Sequence, residues 1–168
     1  VANNSLIVEC GDRSRFISYN DIYVSEANMA TYSYDYSFDG EGAITSAIDY
    51  VVNEEQPQLY ILEGHGEAEL SETFINQIEK ENIETTTFSL LNEDSIPEDA
   101  DAILIYAPSS DISETERDLL AEYVENGGKL MVLVGPTEDG TLENLYSLLS
   151  DYGVEVQEGI VVEEDREY

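Results

Sequence analysis

One histidine stands in the chain of 168 residues, His65, and it lies in the segment YILEGHGEAEL between two glycines and two carboxylates. Imidazole changes charge near neutral pH, so His65 is the natural candidate for a general base or a metal ligand. A base needs a partner that orients it and a proton to take. Ser109, Ser110 and Asp111, in YAPSSDIS, would complete a hydrolytic set with it. The G-x-S-x-G nucleophile elbow is missing, however: Pro108 stands beside Ser109 and no glycine flanks either serine. As a metal ligand His65 would have only carboxylates for company, Glu63, Glu67 or Asp111. The glycines let the backbone turn sharply and approach a ligand. The loop nevertheless lacks the GxGxxG and Walker A spacings, and no lysine is at hand for phosphate. A third loop, GPTEDG, holds Glu138 and Asp139, which could meet Ca²⁺ with Asp111, though no EF-hand spacing is present. It reads equally as a proline turn with acids complementing a helix dipole. The plain alternative for His65 is a turn residue bonded to a neighbouring loop.

The elements that must carry these loops follow from hydrophobic period. Residues 1–39 read as β-rich: strands at Leu6–Cys10 and Phe16–Tyr19 about a Gly11-Asp12 turn. A strictly alternating TYSYDYSF then sets Tyr32, Tyr34, Tyr36 and Phe38 on one half-buried face. Such a row either packs on a neighbouring layer or offers a stacking platform for sugars. From Gly40 to the end, helices and strands alternate. Ile44, Ala47, Ile48, Val51 and Val52 share a helical face that stops before Pro57; Leu59–Leu62 is a strand running into the GHGE turn. Leu70, Phe74, Ile75 and Ile78 form the next helical stripe, which the GHGE turn is expected to start. Thr85–Leu90 is an exposed strand, while Ala102–Tyr106 and Leu130–Val134 are apolar enough to be buried on both faces. Ser113 and Glu116 make a capping box for a helix carrying Leu119, Leu120, Tyr123 and Val124, closed by Asn126-Gly127-Gly128. Leu142, Leu145, Leu148, Leu149 and Tyr152 form a last helix ended by Gly153, followed by short strands at Val154–Val156 and Ile160–Val162. This alternation predicts a flavodoxin-like, doubly wound parallel sheet over residues 40–168, with a small β-rich segment before it. Ligands in such sheets bind beyond the carboxyl ends of the strands, where these three loops meet.

Composition narrows the partners. Asp and Glu number 38 against 6 Lys and Arg, a net charge of −32. That surface repels phosphate backbones and anionic lipid headgroups, which excludes nucleic acid and favours solubility and basic partners. Hydrophobic residues reach 42%, enough for a packed core. With one cysteine, Cys10, no intrachain disulfide forms. No apolar run approaches the roughly 18 residues of a membrane span, and the chain starts at Val1 in mid-pattern, as expected of a piece of a longer protein.

Taken together, FDGEGAITSAIDYVV, YILEGHGE, IPEDADAILIYAPSSDIS, YVENGGKLMVLV and YGVEVQEGIVVEED resemble the extracytoplasmic domain of the gliding-motility-type ABC transporter auxiliary proteins, the GldG family. The resemblance runs from about Gly40 to the end, and ECGDRSRFISYNDIYV fits the part before. It implies a membrane-anchored subunit on the extracytoplasmic side of a bacterial membrane. Its partners would be permease and ATPase subunits, and its membrane helices would lie before Val1 and after Tyr168. It also implies a fold similar to class I glutamine amidotransferases. Their nucleophilic cysteine would fall in Ala107-Pro108-Ser109, where this chain has none, so the expectation is a non-enzymatic domain without cofactor or metal. The crevice residues Gly64, His65, Gly66, Glu67, Pro108, Ser109 and Asp111 would then bind a protein, peptide or carbohydrate. The alternative is a hydrolase using His65 with Ser109 or with a carboxylate-bound metal.

Overall fold

Gly11 takes φ +58°, which costs a residue without Cβ little, and with Asp12 it turns β1 (Leu6–Cys10) back onto β2 (Arg13–Ile17). The pairing runs from Leu6↔Ile17 to Cys10↔Arg13. The computed structural model describes residues 4–29, 31–91, 95–137, 140–157, 159 and 162. Ser18 and Asp21 then form a reciprocal capping box on a short helix, α1 (Tyr19–Ile22). The expected second strand is therefore shifted, because this local capping takes Tyr19 into the helix. A second antiparallel ribbon follows, β3 (Tyr23–Asn28) with β4 (Ser33–Phe38). Its aromatic row is not half-buried. Tyr34, Tyr36 and Phe38 are exposed, since a ribbon of only two strands has no second layer of its own on that face.

Helix α2 (Gly40–Val52) buries Gly40, Ala43, Ala47 and Val51, while Ile44, Ile48 and Val52 face outward. The stripe is rotated from the expected one because small residues let α2 approach the first hairpin closely: Ala43 and Ala47 cluster with Ile17, Val8 and Ile22. Arg13 and Arg15, on one face of β2, both lie over the ring of Tyr50 in α2, at 4.5 and 4.8 Å from its centroid.

The remaining elements are β5 (Gln58–Leu62), α3 (Glu72–Lys80), β6 (Glu84–Phe88), β7 (Ala102–Tyr106), α4 (Glu114–Glu125), β8 (Lys129–Leu133) and α5 (Glu143–Asp151). The four strands form one parallel sheet, ordered β6-β5-β7-β8 and flanked by helices. That is the first part of the flavodoxin-like 2-1-3-4-5 order. Val154–Val156 forms no strand, and Ile160 and Val161 lie outside the described residues. Strand β7 is buried along Ile103, Leu104 and Ile105, as its unbroken apolar run requires. Strand β8 is only half-buried: it ends the sheet, and an edge strand has a neighbour on one side only.

The chain divides into two compact units, Val1–Leu59 with Leu70–Thr86, and Tyr60–Glu69 with Thr87–Tyr168. In the first, α3 ends on Asn82 at φ +58°, a left-handed position that asparagine tolerates, and Asn82 Nδ2 donates to the Ser46 carbonyl at 2.8 Å. Lys80 pairs with Asp39 at the start of α2. In the second, Leu62, Ile103, Ile105, Ile112, Leu120 and Leu148 belong to one continuous core under the loops of interest.

Candidate functional site

The parallel order reverses direction between β5 and β7, so the loops leaving their carboxyl ends diverge around a switch point. After β5 the chain does not enter a helix at once. Glu63–Ser71 is an irregular connection, and α3 begins at Glu72 on its own cap, Ser71. Ser71 Oγ accepts from Phe74 N at 3.3 Å, so α3 starts on its own cap and not on the GHGE turn.

Instead the turn closes on itself. Gly64 and His65 both donate backbone N–H groups to Glu67 Oε2, at 3.0 and 2.8 Å. Gly64 and Gly66 hold φ of +119° and +68°. A Cβ on Gly66 would stand 2.2 Å from Ser109 Oγ, so the close approach of the β7 loop depends on glycine here. Across that approach the His65 carbonyl accepts from the Ser109 and Ser110 backbones, at 3.0 and 2.9 Å, and from the Ser110 hydroxyl at 3.0 Å. Gly66→Ala is expected to cost about 1–3 kcal/mol through left-handed strain and displacement of Ser109, read as a lower chemical-denaturation midpoint.

The imidazole is only 4% exposed, and each ring nitrogen faces a carboxylate. Nδ1 is 3.3 Å from Glu67 Oε1, and Nε2 is 3.1 and 3.3 Å from the Glu116 oxygens. Glu116 is itself 4% exposed and is the capping-box acid of α4, accepting from Ser113 N at 2.8 Å while Ser113 Oγ accepts from Glu116 N at 3.2 Å. The hydrogen bond to Glu67 does most to raise the His65 pKa above its ordinary value; burial opposes it and the Glu116 charge adds to it. Burial pushes both carboxyls up. It is outweighed for Glu67 by the imidazole and by backbone N–H groups, and for Glu116 by Ser113 and then His65, so both lie below the usual range. The state these shifts favour is an imidazolium between two carboxylates, each ring N–H donating to one of them.

This geometry answers the chemistry raised by the sequence. The serines reach the carbonyl of His65, not its ring, and neither ring nitrogen is left to take a serine proton. Ala107, directly after β7, holds φ +46° and donates to the Leu133 carbonyl at 2.6 Å. Its side chain is a methyl group, so this left-handed turn itself presents no nucleophile. Among the described residues, no group of three or more His, Cys, Asp or Glu side chains is arranged to hold a metal ion. Asp111 serves α5: its oxygens accept from Asn144 N at 2.8 Å and Leu145 N at 3.2 Å, at a helix start whose own N-cap, Leu142, has no side-chain acceptor. Asp111→Ala is therefore expected to lose about 1–2 kcal/mol of stability, with Asp111→Asn recovering part of it. Glu138 and Asp139 lie outside the described residues.

The structure thus brings Gly64, His65, Gly66, Glu67 and Ser109 into one junction, with buried Pro108 beneath it. It sends Asp111 to another task. The residue that sequence reasoning assigned only to a cap is Glu116. Its position was legible in the capping box, but nothing local to α4 signals that it also meets a histidine 51 positions earlier. A groove of about 620 Å³ lies elsewhere, lined by Pro97, Asp101, Tyr123, Asn126 and Lys129 at the amino ends of β7 and β8. A family model described as an ABC-type uncharacterized transport system matches residues 56–168, which include this whole junction. Comparison with curated proteins and with solved structures returned no match.

Proposed function

The chain belongs to that family, as an auxiliary component of an ABC transport system, and from this we propose that it is a non-enzymatic, extracytoplasmic interaction domain. In this reading it is carried by a membrane-anchored subunit of the gliding-motility type and engages the permease and ATPase subunits of its transporter. One observation supports this above the hydrolase alternative: both nitrogens of the sole histidine are committed to Glu67 and Glu116, and its carbonyl to Ser109 and Ser110. The junction then acts as a rigid clip at the sheet's switch point, holding the exposed Glu63, Gly64, Gly66 and Ser110 in one arrangement for a partner to meet. A peptide or carbohydrate in the same crevice would have to displace hydrogen bonds that the loops already make to each other.

Affinity purification of the full-length protein in mild detergent tests this reading. Permease or ATPase subunits should co-elute with the wild type. Absence of both, together with turnover of a chromogenic ester that Ser109→Ala abolishes, would overturn it in favour of the hydrolase.

A further inference from the structure

The ribbon of β3 and β4 takes no part in that junction, and its two faces differ sharply. The register Tyr23↔Phe38, Ser25↔Tyr36 and Ala27↔Tyr34 puts these six residues on one face, without a single charge. Tyr34, Tyr36 and Phe38 are 67, 71 and 69% exposed there. At one end Tyr19 stacks on Tyr23 and Tyr23 meets Phe38 edge-on, with centroids 4.8 and 5.4 Å apart, while the small Ser25 and Ala27 leave the flanks of Tyr36 and Tyr34 open. The opposite face carries Val24, Asn28, Ser33, Asp35 and Ser37, with Asp35 accepting from Asn28 Nδ2 at 2.8 Å. Among the described residues, the sheet stops at these two strands, and no third strand lies on either outer edge. A lone two-stranded ribbon is marginal in water, and an open edge is a template for another strand.

We propose that this ribbon docks an extended strand of a partner protein whose residues alternate between aliphatic and basic. Added at an edge, such a strand pairs its backbone with the open ladder. Its aliphatic side chains fall beside Tyr34 and Tyr36, and its Lys or Arg side chains fall on the face of Asp35. The match is one of charge as well as shape, since Asp35 stands between Tyr34 and Tyr36 on a chain of net charge −32. A second copy of the chain is disfavoured because it brings another net charge of −32. A neutral glycan could stack on the rings but would leave the edges unpaired. The inference rests on the interaction reading above, on residues outside the His65 junction.

The test uses a fluorescein-labelled peptide alternating Val and Lys, its Val/Glu counterpart, and hydrogen exchange on the chain. The Val/Lys peptide should bind and should slow amide exchange in 23–28 or 33–38. Tyr34→Ser/Tyr36→Ser, which leaves the net charge unchanged, should weaken binding by about tenfold or more. Equal binding by the variant, equal binding of the Val/Glu peptide, or protection confined to other segments overturns the proposal. So does cellohexaose protecting the ribbon when the peptide does not, or dimerisation of the chain through it. None of these outcomes changes the co-elution result, so the two readings fail separately.

Discussion

His65→Ala should destabilise the protein by about 3–5 kcal/mol at neutral pH, a fall in Tm on the order of 10 °C. Removing the imidazole leaves the ionised carboxylates of Glu67 and Glu116 facing an empty, buried space with no cation between them. Breaking one side of a buried ion pair costs more than the pair itself contributes, because the remaining charge stays out of water. The loss should shrink below about pH 5, where the abandoned carboxyls take up protons. A histidine that only contacted a ligand would behave differently: its removal would leave Tm nearly unchanged at every pH. Chemical denaturation of both proteins across pH 4–8 separates the two cases.

Glu116 carries two roles, and two substitutions divide them. Glu116→Gln keeps an oxygen for Ser113 N but gives up the charge facing His65, and should cost about 1–2 kcal/mol. Glu116→Ala gives up both and should cost about 3–4 kcal/mol. Because His65 and Glu116 share one interaction, the Glu116→Ala/His65→Ala double variant should cost clearly less than the sum of the singles. Additive losses in the double-mutant cycle would show that the two side chains do not act together.

The same trio sets a pH optimum. The folded pKa of His65 is raised from 6.5, so its contribution to stability is complete below that value and is lost as pH climbs through the raised one. Those of Glu67 and Glu116 are lowered from 4.5, so their contribution is complete above that value and is lost as pH falls through the lowered ones. Stability relative to a His65→Gln variant should therefore be greatest between about pH 4.5 and 6.5 and decline on either side. The comparison with the variant removes the background repulsion of the −32 surface, which both proteins share.

Much of the architecture was legible because it is local. The apolar run of β7, the capping box of α4 and the glycine stop after α5 each declare themselves within a few residues. The parallel order and the meeting of the GHGE and APSSD loops followed from the alternation of elements. What could not be read was which of two plausible surfaces a partner element would cover. Ala47 and Val51 are buried as the expected stripe required, but Ala43 took the place of Ile44 and Ile48 beside them, because small residues allow close approach to the hairpin. Tyr34 and Tyr36 alternate like core residues yet face outward, since alternation reports a two-faced strand and not what lies opposite it. Pairing His65 with Glu116 required the tertiary fold, as the two are joined by no local pattern.

The most direct test is an NMR titration of the imidazole, which gives a single set of signals because the chain has one histidine. A structural clip predicts a pKa above the ordinary value near 6.5, with both ring N–H protons visible and slow to exchange at neutral pH. A ring that titrates at or below that value, with one nitrogen unprotonated and its proton exchanging rapidly, would contradict the clip and return His65 to the role of a free base.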